Sequence, residues 1–253
     1  MIIRSLYNVS RQMNVLQKKQ ENNAANAANA NTPGYKFQHL VQRTMQEYDL
    51  YNRAGGREND QRVELGTINF GTEIDGGYTS FSQGNLNETG LATDLAIFGR
   101  GFFAIELDDG RMGITRNGNF KIDNQQRLVT TEGNPVLGMD SQGDISEIFI
   151  QGDEFSVDGQ GLIAGGDMRL MIVDYPDYGG MELYGEGVFI PGNMEYELNE
   201  ANISQGFLES SNVNILDEIV KMMEVSREFE SNQRTLRVLN DTLQKTVNEI
   251  GRN

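Results

Sequence analysis

The chain contains no cysteine, no tryptophan and a single histidine, His39, in 253 residues. Without thiols there is no disulfide frame, no thiolate metal site, no iron–sulfur cluster and no cysteine nucleophile. One histidine rules out a multi-histidine metal site and argues against a Ser-His-Asp triad; His39 reads as a surface residue. Basic charge is scarce, with 21 Lys and Arg against 37 Asp and Glu and a net charge of −16. Such a chain is not a general nucleic-acid binder, because attraction to phosphates needs clustered cations. Apolar runs stop at about four residues, as in Leu170-Met171-Ile172-Val173, far short of the ~20 needed to span a bilayer. The start, Met1-Ile2-Ile3, is too short for the apolar region of a cleaved signal. Only four prolines accompany 29 glycines, a balance that favours tight turns over stiff disorder.

What is present divides by position. Residues 1–40 hold five basic side chains and one acidic, residues 200–253 six basic and nine acidic, which leaves −17 for residues 41–199. The basic head carries apolar residues in alternating steps of four and three, Ile2, Leu6, Val9, Met13 and Leu16, continuing through Gln20, Asn23, Ala27 and Ala30. That spacing lines one face of a helix in the manner of a coiled-coil seam. Thr32-Pro33-Gly34 stops it, since proline disfavours α geometry in the preceding residue. The tail repeats the device: Ile215, Ile219, Met222, Ser226, Phe229, Gln233, Leu236, Asn240, Leu243, Val247 and Ile250 follow the same steps without an intervening Gly or Pro. As a helix, 215–250 would be ~54 Å long, with Ser211 or Asn212 as its cap.

Between the helices, short apolar runs alternate with Gly, Asn and Asp. Asn117-Gly118 lies between Ile114-Thr115 and Phe120-Lys121-Ile122, a hairpin signal. Turns recur at intervals that suit an antiparallel sandwich or distorted barrel. The expected architecture is therefore α+β: long amphipathic N- and C-terminal helices of coiled-coil type flanking a central antiparallel β domain. Its parts are an N-terminal helix at 1–32, a turn and extended connector with a mobile centre at 33–77, the β domain at 78–205, and a C-terminal helix at 206–253 that packs with 1–32.

No constellation reads as catalytic, and no cofactor or metal is expected. Gly159-Gln160-Gly161-Leu162-Ile163-Ala164 has the spacing of a dinucleotide loop, but strand rather than helix follows it, so it reads as a hairpin turn. Asp140, Asp144 and Glu147 lack the spacing of a calcium loop and read as solvated turn carboxylates. The terminal helices lack anchoring aromatics over most of their seams, so direct membrane insertion is not expected. A wide apolar stripe on a terminal helix needs neighbours. Other copies of the chain, stacked helically, supply them; the alternative is a monomer whose helices fold onto its own β domain.

Three separated segments carry a resemblance. The first is Asn26-Ala27-Ala28-Asn29-Ala30-Asn31-Thr32-Pro33-Gly34-Tyr35-Lys36. The second opens with Ser82-Gln83-Gly84-Asn85-Leu86 and runs through Asp94-Leu95-Ala96-Ile97 and Gly99-Arg100-Gly101-Phe102-Phe103 to Thr115-Arg116-Asn117-Gly118-Asn119-Phe120. The third comprises Gly206, Leu208-Glu209, Ser211-Asn212-Val213-Asn214, Glu218, Met222, Arg227, Phe229-Glu230 and Asn232. Together they resemble the bacterial flagellar rod and hook axial proteins, and among these a rod protein, distal or proximal. Asn23 and Ala27 stand where that family has large aliphatics, and Ala25 where it has asparagine, so the N-terminal seam is underfilled.

The resemblance implies a structural subunit of the flagellar basal body, exported unfolded through the flagellar type III apparatus without a cleaved signal. It implies a homo-polymer that joins other rod and hook proteins in a hollow helical shaft carrying torque from motor to hook. Seams and motif residues together mark the expected subunit interface: Ile2, Leu6, Val9, Met13, Leu16, Asn26, Asn29, Asn31, Thr32, Gly34, Ser211, Asn212, Val213, Ile215, Ile219, Met222, Phe229, Leu236, Leu243, Val247 and Ile250. The alternative from another class is a secreted β-rich enzyme or carbohydrate-binding module with helical tails.

Overall fold

The computed structural model describes residues 2–54, 61–150, 155–185, 187–192, 194–199 and 202–250. Two helices enclose the strands in sequence: α1 (Ile2–Ala28) and α2 (Ile215–Ile250). The chain forms two compact units, one from Met1–Ala27, Gln38–Tyr78 and Ile215–Asn253, the other from Ala28–Phe37 and Thr79–Asn214. The first is built by both ends of the sequence and the second by its middle.

In the first unit α1 and α2 run antiparallel: Gln12 Nε2 donates to Glu228 Oε1 at 3.0 Å and Asn26 Nδ2 to Glu218 Oε2 at 3.2 Å. The same unit holds four strands, β1 (Gln38–Thr44), β2 (Tyr48–Ala54), β3 (Gln61–Ile68) and β4 (Thr72–Thr79). β1 pairs with β4, and β2 with β3 as an antiparallel ribbon carrying a bulge at Leu50/Tyr51. The segment expected to be an extended connector is thus paired for most of its length. Alternate polar and apolar residues, such as Tyr48, Leu50 and Val63, Leu65, suit a two-sided ribbon. Its expected mobile centre, at 55–60, lies outside the described residues. β4 is tied to α1 by Thr72 Oγ1, which donates to Gln12 Oε1 at 2.7 Å. Gly71 turns the chain at φ +99°, where a Cβ would make only ordinary contact with Asn8 and Arg11 at 3.7 Å.

The second unit contains β5 (Leu86–Glu88), β6 (Leu95–Phe98), β7 (Phe102–Glu106), β8 (Met112–Thr115) and β9 (Lys121–Ile122). It continues with β10 (Leu128–Val129), β11 (Leu137–Met139), β12 (Ile145–Glu147), β13 (Arg169–Leu170) and β14 (Ile172–Asp174). β15 (Glu182–Gly185), β16 (Val188–Ile190), β17 (Glu197–Leu198), β18 (Asn202–Gln205) and β19 (Phe207–Glu209) complete it. The largest sheet has the order β15-β16-β8-β7-β14-β17, and the pairings in this unit are antiparallel. β7 is buried almost throughout, so its run Phe102-Phe103-Ala104-Ile105 feeds both faces. Phe103 and Ile105 join Leu95, Ile97, Phe120 and Leu128 in one core cluster, while Phe102 and Ala104 join Ile114, Val173 and Phe189 in another.

A single turn design recurs. At Leu107–Arg111, Asp123–Arg127, Thr130–Asn134, Asp140–Asp144 and Asp158–Leu162, the fourth residue donates to the first carbonyl and the first residue's N–H to the fifth carbonyl. The fourth residue has positive φ each time: Gly110, Gln126, Gly133, Gly143 and Gly161. In the three Asp-led turns the Asp Oδ1 also accepts the second and fourth following N–H groups, at 2.7–2.9 Å. The calcium-like Asp140 and the dinucleotide-like Gly161 are both members of this series. Those amides hold the Asp140 carboxyl below its ordinary pKa, with desolvation opposing.

One hairpin expected from the sequence is absent. Asn117-Gly118 does not join two paired strands: β8 pairs with β7 and β16, and β9 with β10. Gly118 serves a close approach instead, because a Cβ there would collide with the Leu95 carbonyl, and the Leu95 N–H donates to Gly118 O at 3.0 Å. An Asn-Gly pair signals missing side-chain bulk as readily as a turn.

Candidate functional site

The three motif segments meet in the second unit at a buried ion cluster. Lys36 Nζ donates to Glu209 Oε1 at 2.5 Å and to the Ser82 carbonyl at 2.9 Å. Arg116 Nη1 reaches Glu209 Oε2 at 3.3 Å and Arg116 Nη2 the Gly99 carbonyl at 2.7 Å. Gly84 N–H donates to Glu209 Oε1 at 2.9 Å, and Gly34 N–H to the Glu209 main-chain carbonyl at 2.7 Å. Side-chain exposure is 0% for Lys36, 1% for Glu209 and 3% for Arg116, so water does little to screen these charges. Burial lowers the pKa of Lys36, with the charge of Glu209 opposing, and it lowers that of Arg116 in the same way. The Arg116 guanidinium also lies 5.2 Å from the centre of the Phe102 ring.

Glycines make this convergence possible. Gly34 has φ +69° and lies so close to the backbone of Asn117 that a Cβ would overlap it. Gly84 is similarly placed against the Ser210 carbonyl. Beside them Asn212 acts as a strand surrogate: its Oδ1 accepts the Phe37 N–H at 2.7 Å, and its Nδ2 donates to the carbonyls of Ser80 and Ser82 at 2.8 and 3.0 Å.

The first unit has a matching polar centre. Asn26, fully buried, donates to the Gln38 carbonyl at 2.8 Å and accepts the Gln38 N–H at 3.1 Å. Asn22 donates to the same carbonyl at 2.9 Å. Asn26 also holds buried Glu218, whose other oxygen takes Lys221 Nζ at 2.6 Å. A side-chain amide presents an NH₂ donor beside a C=O acceptor, which suits it to complete the edge of a strand. That property accounts for asparagine at both positions.

Other nominated residues divide. Leu6, Val9 and Met13 are half-buried and Leu16 is buried. Asn29 accepts Thr32 Oγ1 at 3.1 Å in the turn that ends α1, and Asn31 is exposed. Nothing is described of the side chains of Ile2 and Ile250. Ser211 and Asn212 do not cap α2: the helix begins at Ile215, Ser211 Oγ accepts only the Val213 N–H at 3.2 Å, and Asn212 is engaged as above. The covered stripe of α2 is also turned from the expected seam. It runs Glu218, Met222, Val225, Phe229, Asn232, Leu236, Leu239 and Leu243, keeping four expected positions and replacing Ser226, Gln233 and Asn240, which are exposed. The reason is chemical: a rotation of about one residue exchanges Ser226 and Asn240 for Val225 and Leu239. Ile215, Ile219 and Val247 remain on the outside.

Lys36, Arg116 and Glu209 were absent from the nominated set. A signal existed, since Lys36 lies between Tyr35 and Phe37 and Glu209 follows Phe207-Leu208. The pairing itself, across 173 and 93 residues, leaves no local trace.

Each charged side chain of the cluster has an opposite charge or a carbonyl as partner, an arrangement that holds three separated segments together. Among the described residues no group of three or more His, Cys, Asp or Glu could hold a metal ion, and no helix is long and apolar enough to cross a membrane. The cluster is a structural crosslink of the second unit. Residues 96–165 match the family described as "Flagellar hook protein FlgE/F/G D1 domain" and residues 204–249 the one described as "Flagellar basal body rod FlgEFG protein C-terminal". Flagellar basal-body rod protein FlgG of Bacillus subtilis is 31% identical over 98% of this chain and 99% of its own. The FlgG of Borreliella burgdorferi is 30% identical over 96% and 97%, and flagellar basal-body rod protein FlgF of Caulobacter vibrioides 30% over 96% of each. The chain belongs to the flagellar basal-body rod protein family. It is a structural component of the basal body and not an enzyme.

Proposed function

We propose that copies of this chain polymerise into a hollow helical rod, with the helical unit forming the inner layer and the β unit facing outward. The observation that carries the reading is the outer face of α2. Ile219, Val220 and Met223 are 44%, 49% and 50% exposed on one side of a helix that already packs α1 on the other. At ~25 cal/mol per Å² of apolar surface, a helix turn that keeps three such side chains wet forgoes several kcal/mol of burial. A neighbouring subunit recovers it, and a helical stack repeats the recovery along the polymer. In this reading α1 and α2 act as a coiled-coil pair within each subunit. The interface is drawn from their seams and free faces, other rod and hook proteins continue the shaft, and the whole carries torque. The route is export by the flagellar type III apparatus, for which the absence of cysteine is suitable.

The test is removal of Ile215–Asn253. The intact chain is expected to form fibres on concentration and the truncated chain to remain soluble with its β unit folded. Equal fibre formation by both would refute the reading.

A further inference from the structure

Two short sheets of the second unit stand apart from the six-stranded one: β18 pairs with β6, and β19 with β5, each as a separate two-stranded sheet. The strap 202–212 that carries β18 and β19 buries the apolar side chains of Ile203 and Leu208, whereas β7 buries Phe102, Phe103, Ala104 and Ile105 in succession. Of the strap, the larger core cluster includes Ile203 alone. What holds the strap is polar. Gly206 N–H donates to the Asp94 carbonyl at 2.8 Å, and the Gly206 carbonyl accepts the Thr89 N–H at 2.8 Å. Gln205 Nε2 donates to the Ala92 and Phe155 carbonyls at 2.7 and 3.0 Å. Asn87 Nδ2 donates to Ser210 Oγ at 2.7 Å. Glu209 and Asn212 add their bonds to Lys36, Arg116, Gly84 and Phe37.

We infer that the strap is a latch: it opens as one step, releasing β5 and residues 34–37 with it, while the six-stranded sheet stays folded. A segment with few buried apolar contacts belongs to the low end of the local stabilities within a protein. Hydrogen bonds lost on opening are remade to water, so their net cost is small beside that of wetting a core side chain. The ion cluster behaves in the same way. Opening rehydrates Lys36, Arg116 and Glu209, and the desolvation recovered offsets the attraction given up. The buried ions thus close the strap in one arrangement without making the closure permanent. β6 stays behind, because Leu95 and Ile97 are packed with Phe103, Ile105 and Phe120. The consequence falls on the chain next to both helices. α1 ends at Ala28 and α2 begins at Ile215, so the released residues are those that follow one helix and precede the other. Closed, the latch fixes them side by side, with Gly34 N–H on the Glu209 carbonyl and Phe37 N–H on Asn212 Oδ1. The latch is a property of one subunit and does not depend on the polymer reading above.

Native-state hydrogen exchange of the full chain, read by mass spectrometry where exchange follows the opening equilibrium, separates a latch from a unit that opens as one block. The latch amides are those of Gly34, Thr89, Gly206 and Ser210, and the sheet amides those of Ala104 and Met171. Glu209→Gln leaves two cations without their carboxylate in the closed latch. It is expected to speed the latch amides about 10²–10³-fold and the sheet amides by no more. Ile114→Ala opens a cavity in the sheet core, where Ile114 is fully buried. It is expected to speed the sheet amides at least about thirtyfold, while the latch amides stay within about twofold of the parent. Ile114→Val, with an expected effect of about 2–10-fold on the sheet amides, gives the same contrast if the alanine variant does not fold. Equal acceleration of both sets by the Ile114 substitution would overturn the latch, since the strap would then open only together with the sheet. Latch amides that exchange at the parent's rate in Glu209→Gln would overturn it as well.

Discussion

Glu209→Gln is the sharpest perturbation of the buried cluster. The substitution changes one atom's chemistry and almost no volume, yet it removes the carboxylate that faces both Lys36 and Arg116. Two cations then remain inside the second unit, and the new amide NH₂ confronts donors at Lys36, Arg116 or Gly84. Breaking a buried pair by neutralising one partner costs about 3–5 kcal/mol, because the other charge stays desolvated and uncompensated. For a unit of this size each kcal/mol moves the thermal midpoint by about 2–4 °C, so the expected fall is about 6–20 °C by scanning calorimetry. High salt should not reduce it, since the cluster is out of reach of mobile ions. The exposed pair Arg43–Glu73 provides the contrast, and Glu73→Gln should cost under about 1 kcal/mol. Lys36→Met in the Glu209→Gln background should recover part of the loss, with a coupling of about 0.5–3 kcal/mol. A midpoint for Glu209→Gln within about 2 °C of the parent would refute the reasoning.

Three further outcomes follow from particular residues. The pKa of Lys36 is lowered from 10.5 by burial, so between its folded value and 10.5 the unfolded chain holds more protons and stability rises with pH across that window. The thermal midpoint of the parent should therefore climb relative to Lys36→Met as pH is raised toward 10.5, and parallel profiles would contradict this. Gly34→Ala places a Cβ on the Asn117 backbone at φ +69°. It should lose at least about 1–3 kcal/mol in urea unfolding. Gln126 is the one described non-glycine residue with positive φ, at 62°, in a turn position that glycine fills in its four relatives. Gln126→Gly should gain about 0.5–1 kcal/mol, the relief of a left-handed side chain less the added freedom of the unfolded glycine.

The order helix, antiparallel strands, helix was legible because its signals are local. A run free of Gly and Pro with apolar steps of four and three makes a helix whatever surrounds it, and Thr32-Pro33 ends one. The turns were legible for the same reason, since five residues contain all their hydrogen bonds. What could not be read depends on distance. The rotation of α2 follows from which of two neighbouring stripes α1 covers, a choice between Ser226 and Val225 that needs both helices together. Asn212 looks like a cap in sequence because asparagine suits helix starts, and only the proximity of Phe37 and Ser82 gives it other partners. Gly34, Gly84 and Gly118 look like turn residues, while two of the three, Gly84 and Gly118, are there for close packing without a positive φ. Lys36, Arg116 and Glu209 are charged, a property that points outward until their separate segments are joined.

The central claim, a shaft built on the terminal helices, is tested most directly by electron cryomicroscopy of the intact protein at high concentration. The account predicts hollow fibres whose inner wall is helical and whose outer surface is the β unit. Dispersed monomers at every concentration, or fibres walled on the inside by strands, would contradict it.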